Sequence, residues 1–284
     1  MWICGVIGTN GDLNPAVRDA IGEMTHTLHH RGPDGEGTFA DTRAALGHAR
    51  LAIIDRAGGA QPMPNEDRTC WVVFNGEIYN HRTLRQDLLA RGHQFRTTSD
   101  TEVIVHAYEE YGTGCVEKFE GMFAFAVYDA TRHEILLARD RLGKKPLFWA
   151  VLDGALHFAS EIKAIAPSPA WDDSIDLSAL EVICRSATCS RRTPIYRRVR
   201  KLEPGHWLKL PRRPDQTAQV LGRRRVRYDA RATIRRSMQE LESTMLRARC
   251  VERLEAKCRS AHFSRAGSIP GSSCRSCPRR SATA

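Results

Sequence analysis

Cys4, near the start of the chain, is the first residue that could do chemistry. It lies in the apolar stretch WICGVIG at residues 2–8. A lone cysteine in such a stretch is most often an ordinary small core residue. A thiolate is a strong nucleophile, but a thiol with the reference pKa of about 8.5 stays mostly protonated at neutral pH and needs a base. Whether Cys4 is a nucleophile therefore depends on the residues downstream of it.

The pair Asn75-Gly76 is a second group of interest, in the segment FNGEIYN. An isolated NG pair most often forms a hairpin turn. Here no return strand comes after it, and Asn80 instead precedes the helical pattern HRTLRQDLLARG. This context argues against the turn.

The surrounding segments predict the elements that would position these residues. Apolar runs predict strands at residues 2–8, in AALGHARLAIID and in TCWVVFNGEIYN, and later in two strand–turn–strand pairs. Helices are predicted from Asn14 to about His29, after Asn80, and after Ser99 or Asp100. Because strands and helices occur in groups, the order indicates a layered α+β fold.

The charge of the chain differs between its two parts. Residues 1–165 contain 17 basic and 22 acidic residues, a net charge of −5, whereas residues 166–284 contain 26 and 11, a net charge of +15. The last thirty residues are rich in Ser, Arg, Cys and Pro and show no period, which predicts disorder. No secretory signal and no apolar run of about 20 residues is present, so we expect no membrane partner and a cytoplasmic location.

Six short motifs occur in one order along the first part of the chain: CGVIG, HHRGPDGEG, GHARLAIID, FNGEIYNHRTLR, TTSDTEVI and ARDRLGKKPLF. Together they resemble the glutaminase domain of glutamine-dependent asparagine synthetases, which belongs to the class II, or N-terminal nucleophile (Ntn), glutamine amidotransferases. The resemblance implies an α+β fold, the four-layer αββα sandwich of Ntn hydrolases. Two other glutaminase types, those of glucosamine-phosphate synthases and phosphoribosyl amidotransferases, fit FNGEIYNHRTLR and DRLGKKPLF less well.

The resemblance assigns catalytic roles to three residues. Cys4 would attack the side-chain amide of glutamine, forming a γ-glutamyl thioester and releasing ammonia, and its own α-amine would act as the base. Asn75 and Gly76 would form the oxyanion hole through an amide side chain and a backbone N–H.

The resemblance also predicts a glutamine pocket. Arg50 would hold the substrate carboxylate, Asp100 its ammonium group, and Glu77 would assist Asp100 or fix the loop. The predicted pocket residues are Arg50, Leu51, Ala52, Ile53, Ile54, Asn75, Gly76, Glu77 and Asp100. Five further motif residues are interpreted as structural or interdomain: Arg31, Asp34, Asp140, Arg141 and Lys145.

The chain departs from the family's pattern in front of the proposed nucleophile. The α-amine of Cys4 is available as a base only if Cys4 becomes the first residue, yet Met1-Trp2-Ile3 precedes it. Either these residues are removed, or translation starts differently, or the thiol lacks its base.

A second departure concerns the synthetase half. The resemblance implies an ATP-pyrophosphatase domain with an SGG-x-D-S loop that cradles pyrophosphate, and no such segment occurs here. Yet RSAHFSRAGSIPG can be encoded by a nucleotide string that reads PLGAFLSGGIDSG one base earlier. We therefore hypothesise that residues 184–192 and much of 211–284 are translated out of frame, which sequencing of the coding DNA would test.

These observations lead to a set of expectations for the whole chain. We expect a glutaminase domain at 1–165, a linker remnant at 166–210 and a disordered tail at 211–284. Glutamine is the expected partner, and no specific nucleic acid is expected. The resemblance implies a homodimer, as in the parent family. No cofactor or metal is expected for the glutaminase half; ATP and Mg²⁺ belong to the parent family. The alternatives are a catalytically inactive fragment or pseudogene product, and a nucleic-acid binder acting through the basic tail. Zinc binding by Cys250, Cys258, Cys274 and Cys277 is a weaker alternative, since the only close pair is one C-x-x-C.

Overall fold

A computed structural model of the chain describes residues 1–51, 58–186 and 194–210, together with the backbone of 219–220. Predictions made for Ala52, Ile53 and Ile54, for residues 187–193 and for nearly all of the tail at 211–284 lie outside the described residues. The one described piece of that tail is a short strand, noted below.

Two antiparallel sheets of six strands form the centre of the described structure. The strand order of the first sheet is β10-β8-β9-β1-β3-β2, and that of the second is β12-β11-β7-β6-β5-β4. The strands are β1 (Trp2–Gly8), β2 (Gly35–Ala40), β3 (Ala44–Arg50), β4 (Met63–Pro64), β5 (Cys70–Ile78), β6 (Gly121–Asp129), β7 (Glu134–Arg139), β8 (Phe148–Leu152), β9 (Ala155–Ala159), β10 (Arg200–Lys201), β11 (His206–Leu210) and β12 (Gln219–Val220).

Six α-helices accompany the sheets in the described part of the chain. They are α1 (Pro15–Asp19), α2 (Ile21–His26), α3 (His81–Ala90), α4 (Asp100–Tyr111), α5 (Cys115–Lys118) and α6 (Leu177–Ser186). The single helix predicted from Asn14 to about His29 is therefore two short helices. Asn14 does cap the first of them, since its Oδ1 accepts a hydrogen bond from the Ala16 N–H at 3.0 Å.

Three apolar layers separate the sheets and helices. One lies between the sheets and contains Ile3, Leu46, Val73, Leu137 and Phe158. A second lies between the first sheet and the helices α1 and α2, and the third lies between the second sheet and α3, α4 and α5. Alternate residues of a strand face opposite layers, so β1 sends Ile3 and Ile7 between the sheets and Cys4 and Val6 toward the helices. The α+β αββα sandwich predicted from the resemblance is confirmed.

The sheets continue beyond the predicted boundary at residue 165. β10 pairs with β8 in the first sheet, and β11 pairs with β7 in the second. β12 pairs with β11 and is the described piece of the predicted tail. Among the described residues, none of the helices has both the length and the apolar character that a membrane crossing requires.

Candidate active site

A cavity of about 310 Å³ opens where β1 begins and β5 ends. Its lining combines three cationic side chains, one carboxylate, one amide and a tryptophan. The lining residues are Met1, Trp2, Arg31, Leu51, Asn75, Gly76, Glu77, Lys144, Lys145 and Pro146. Such a mixture of opposite charges suits a small zwitterionic ligand.

The Asn75 amide is the most unusual polar group at this cavity. Asn75 is 3% exposed, and its Nδ2 has no hydrogen-bond partner among the described residues. A buried donor without a partner costs roughly 1–3 kcal/mol, so most such groups in native proteins find one. The orphaned amide is therefore available to a ligand oxygen in the cavity.

Gly76 comes directly after Asn75 and leaves room for close backbone approach. A Cβ at this position would lie 2.1 Å from the Met122 carbonyl oxygen and 2.8 Å from Phe123 Cα on the neighbouring strand β6. Since both atoms belong to backbone, no side chain fits here. The sequence element FNGEIYN thus places an amide, a bare backbone segment and the carboxylate of Glu77 in succession at the cavity wall.

The loop after β7, which carries the cavity residues Lys144 and Lys145, is held in place by Asp140 and Arg139. The Asp140 carboxylate accepts hydrogen bonds from the N–H groups of Leu142, Lys144 and Lys145, each at 3.0 Å. The Arg139 guanidinium donates to the carbonyl oxygens of Lys145 at 2.7 Å and Gly143 at 2.7 Å. The loop after β7 is thereby fixed so that Lys144 and Lys145 line the cavity. The structural interpretation of Asp140 agrees with these contacts.

Trp2 and Arg31 form the wall on the side of β1. The Arg31 guanidinium carbon lies 5.1 Å from the centre of the Trp2 ring, within cation–π range. Arg31 also faces Glu161 at 3.9 Å. The interpretation of Arg31 as structural or interdomain is thus incomplete, because Arg31 lines the cavity.

Cys4, the predicted nucleophile, does not line this cavity. It is fully buried, and its sulfur lies 3.5 Å from the Thr25 hydroxyl of α2. Thr25 donates its own hydrogen to the Ile21 carbonyl at 2.7 Å, so it accepts from the thiol. Burial raises the pKa of the Cys4 thiol to about 12. In the described chain, the cysteine is therefore protonated and enclosed, and Trp2 occupies the next position on the same face of β1.

The register of β1 prevents Cys4 from reaching the cavity by sliding. Cys4 lies opposite Gly47, and Trp2 lies opposite Ala49. A slide of two residues, about 6.6–6.8 Å along the strand, would bring Cys4 to the position of Trp2. The same slide would place Ile7 where Gly5 now lies, and a Cβ there is only 2.4 Å from the Phe158 ring. Gly5 and Phe158 thus lock the register.

Of the remaining described pocket predictions, one residue lines the cavity and two do not. Leu51 lines the cavity and is 40% exposed, whereas Arg50 and Asp100 are not among the lining residues. The Asp100 carboxylate accepts a hydrogen bond from the Ile78 N–H at 3.0 Å, and burial raises its pKa to about 6. Asp100 therefore anchors the end of β5 next to Glu77.

Comparison with known proteins gives the family. The model of the glutamine amidotransferase domain matches residues 3–220, well over half of the chain. The chain belongs to the glutamine amidotransferase family.

Several relatives of this amidotransferase domain have curated names. It is 39% identical over 211 residues to asparagine synthetase [glutamine-hydrolyzing] 3 of Bacillus subtilis, covering 72% of this chain and 34% of the relative. It is 46% identical over 168 residues to asparagine synthetase [glutamine-hydrolyzing] 3 of Arabidopsis thaliana, covering 58% of this chain and 28% of the relative. The chain thus spans about a third of the length of these relatives.

A solved structure supports the fold. The glutamine phosphoribosylpyrophosphate amidotransferase of B. subtilis, solved with ADP and GMP, aligns with a TM-score of 0.54. The two are 22% identical, and the alignment covers 78% of this chain and 49% of that one. At this identity, the likeness shows a shared amidotransferase fold.

Three residues that line the cavity were not predicted as pocket residues from the sequence of the amidotransferase domain. Arg31, Lys144 and Lys145 line the cavity, whereas sequence reasoning treated Arg31 and Lys145 as structural and did not single out Lys144. The available signal was the pair of lysines placed directly after the strand and turn of ARDRLG. Two adjacent lysines are common on surfaces, however, and the contacts of Asp140 and Arg139 are what fix this loop at the cavity.

Proposed function

We propose that this domain binds glutamine in the cavity and hydrolyses its side-chain amide to glutamate and ammonia. The observation that supports this best is the buried Asn75 Nδ2 without a partner beside Gly76. The amide carbonyl of glutamine would accept its hydrogen bond. The oxyanion formed on that oxygen during attack would accept it more strongly, which is the requirement for catalysis.

The charges of the lining suit the other end of glutamine. Arg31, Lys144 and Lys145 would face the α-carboxylate, and Glu77 would face the α-ammonium group. The roles of Arg50 and Asp100 that the family resemblance implies stay predictions.

The proposed nucleophile is Cys4, and we infer that it acts only once residues 1–3 have been removed. Their removal would take Trp2 out of the cavity wall beside Cys4. It would also give Cys4 a free α-amine, whose reference pKa of about 7.7–8 suits transfer of the thiol proton. The intact chain would bind glutamine without hydrolysing it.

The proposed reaction has two steps. The α-amine takes the thiol proton, the sulfur attacks the amide carbon, and Asn75 and Gly76 bind the oxyanion. As the C–N bond breaks, the ammonium gives its proton to the leaving nitrogen, so ammonia departs and a γ-glutamyl thioester remains. Water, deprotonated by the same amine, then attacks the thioester, which releases glutamate and restores the thiol.

The wider role proposed for the ammonia rests on the printed names of the relatives. We propose that it serves the ATP-dependent conversion of aspartate to asparagine in a whole protein of which this domain is about a third. No described residue forms a phosphate-binding loop of the SGG-x-D-S type, so we assign none to ATP or Mg²⁺ and derive no step through them. A cytoplasmic location and a homodimer stay predictions.

The test compares the full chain with a chain that begins at Cys4. The second is made by cleaving a fusion directly before Cys4, and its fold is checked by circular dichroism. We expect glutamate release only from the chain beginning at Cys4, and none from its Cys4→Ala variant. Equal turnover by the full chain would contradict the inference about residues 1–3. A folded chain beginning at Cys4 that is no faster than Cys4→Ala would contradict hydrolysis itself and favour the inactive-fragment alternative.

A further inference from the structure

A cluster of two histidines and two glutamates lies on the outer side of the second sheet, and none of its residues lines the candidate active site. The four residues, which we call the histidine cluster, are Glu66, His93, His106 and Glu109. His106 and Glu109 lie one turn apart on α4, His93 lies just after α3, and Glu66 lies between β4 and β5. One ligand atom from each lies within 4.8 Å of the others.

The distances inside the histidine cluster approach those of a tetrahedral metal site. His106 Nδ1 lies 3.1 Å from Glu109 Oε2 and 3.2 Å from Glu66 Oε2. His93 Nδ1 lies 3.9 Å from Glu109 Oε2 and 4.0 Å from Glu66 Oε1. Bonds of about 2.0–2.1 Å to a tetrahedral ion would place neighbouring ligand atoms about 3.3 Å apart. Small side-chain movements would complete this geometry.

The hydrogen bonding of the cluster is incomplete without a further ligand. His106 is fully buried, and a single N–H on Nδ1 cannot serve two carboxylates. Its bond is to Glu109, and the buried Glu66 Oε2 is left without a hydrogen-bond partner among the described residues. Two carboxylate oxygens and an imidazole nitrogen thus converge on one point. A bound cation would satisfy all three together.

A second layer of carboxylates faces the far nitrogens of both imidazoles. His106 Nε2 lies 3.8 Å from Glu102, and His93 Nε2 lies 3.6 Å from Glu110. Neither distance is a hydrogen bond, and His106 Nε2 has no hydrogen-bond partner among the described residues. Metal-bound histidines typically donate this N–H to a carboxylate, which fixes the tautomer and makes the ligand more basic. Small side-chain movements would bring both carboxylates within bonding distance. Arg91 pairs with Glu110 at 2.8 Å, so the carboxylates of Glu66, Glu102 and Glu109 remain to face the two imidazoles, and they outnumber them.

We propose that Glu66, His93, His106 and Glu109 bind one divalent transition-metal ion, for which zinc is the best match. Two imidazole nitrogens and two carboxylate oxygens are a ligand set that zinc accepts in tetrahedral geometry. The ion would tie α4 to the segments before β5 and after α3. α4 begins at Asp100, which anchors the end of β5, so the site would stabilise the strand that carries Asn75. The inference is independent of whether the domain hydrolyses glutamine.

The test uses the full chain with the four tail cysteines 250, 258, 274 and 277 changed to serine, because these could bind zinc themselves. After chelator treatment, zinc is titrated against a chromophoric competitor, and the bound ion is examined by X-ray absorption. His93→Gln removes a partly exposed ligand and so spares the core. His29→Gln is its matched control, since His29 also faces a glutamate, Glu36, at 3.1 Å but lies outside the cluster.

We expect one equivalent of zinc, a shell of nitrogen and oxygen only, and at least tenfold weaker binding in His93→Gln with no change in His29→Gln. Zinc should also raise the midpoint of thermal unfolding, and His93→Gln should abolish this rise. Absence of zinc binding, sulfur in the shell, or equal affinity of His93→Gln and the control would overturn the proposal.

Discussion

At the scale of single residues, the buried amides of Asn75 and Asn65 differ in their hydrogen bonding. The Nδ2 of Asn75 has no partner among the described residues, whereas both amide atoms of Asn65 are fully engaged. Asn65 donates to Thr69 and Glu109 and accepts from the N–H groups of Thr69 and Cys70. An unpartnered buried donor costs roughly 1–3 kcal/mol, and this one belongs to a residue that lines the cavity, which supports the proposed bond to a ligand oxygen.

We predict opposite effects for the two asparagines. In the chain that begins at Cys4, Asn75→Ala should lower kcat for glutamine hydrolysis by about 10²–10³-fold, as loss of an oxyanion donor does. It should leave the free energy of unfolding unchanged or slightly raised, because no hydrogen bond of Nδ2 is lost. Asn65→Ala should lower that free energy by about 2 kcal/mol. Urea denaturation measures the free energy of unfolding, and initial rates measure kcat. A strongly destabilised Asn75→Ala variant would contradict the assignment of Asn75 Nδ2 as a donor to a ligand oxygen.

The enclosure of Cys4 gives a second prediction at this scale. In the full chain at pH 8, Cys4 should resist alkylation by iodoacetamide, because its thiol is buried and its pKa is raised to about 12. Cys184, which is exposed on α6, is the internal control and should react readily. Mass spectrometry of the peptides reports each site. Labelling of Cys4 at the rate of Cys184 would show that the thiol is accessible without removal of residues 1–3.

At the scale of elements, the register of β1 determines that Trp2, and not Cys4, lines the cavity. Its register is fixed where Gly5 passes beneath Phe158 of β9. We predict that Gly5→Ala destabilises the domain by at least about 1–3 kcal/mol, because the new Cβ would lie 2.4 Å from the Phe158 ring and 2.9 Å from the Ala45 carbonyl oxygen. Gly11→Ala is the control, since nothing lies within 4 Å of its Cβ position. Equal stability of the two variants in urea would show that the register is not locked here.

The start of α4 depends on Glu102, which joins the helix to the preceding loop. Its carboxylate accepts from the N–H groups of Arg96 and Thr97, each at 2.7 Å, and from the Thr97 hydroxyl at 2.6 Å. Burial by itself would raise the pKa of Glu102, but these bonds and His106 outweigh it and lower the pKa to about 2. The carboxylate therefore stabilises the fold most in its ionised form.

The lowered pKa of Glu102 sets the sign of the pH effect. The reference pKa of this carboxyl is 4.5, so its contribution should be complete above about pH 4.5 and lost as the pH falls toward 2. Glu102→Gln should cost about 2 kcal/mol at pH 7 and less at pH 3, giving a flatter acid limb. Denaturant unfolding between pH 3 and 7 measures this. A cost that is constant with pH would contradict the role of the charge.

At the scale of the whole molecule, the layered fold can be predicted from sequence because its signals are local and repeated. Apolar runs predicted β1, β5 and the strand pairs, and caps such as Asn14 and Ser99 predicted helix starts. The order and number of layers were predicted from the family resemblance that the six motifs carry. The strands beyond residue 165 were missed because pairing with distant strands, and not local pattern, determines them. The break at Ala20 between α1 and α2 was missed as well.

The site was predicted less completely than the fold. Asn75, Gly76, Glu77 and Leu51, four of the residues predicted for a glutamine pocket, line one cavity because they flank strand ends that meet there. The placement of Cys4 depends on a two-residue register set by Gly5 and Phe158, which a motif such as CGVIG does not encode. The histidine cluster was not foreseen either, since its residues come from three separate segments that only the packing of α4 brings together.

Calorimetric titration of L-glutamine into the full chain measures whether the cavity beside Asn75 binds glutamine. We expect saturable binding of one glutamine per chain, without glutamate release, and at least tenfold weaker binding when Glu77→Gln and Lys145→Gln are combined. The matched control is Glu117→Gln with Lys118→Gln, a pair outside the cavity lining, which should bind normally. Absence of saturable binding, or equal affinity of the cavity variant and its control, would contradict the account.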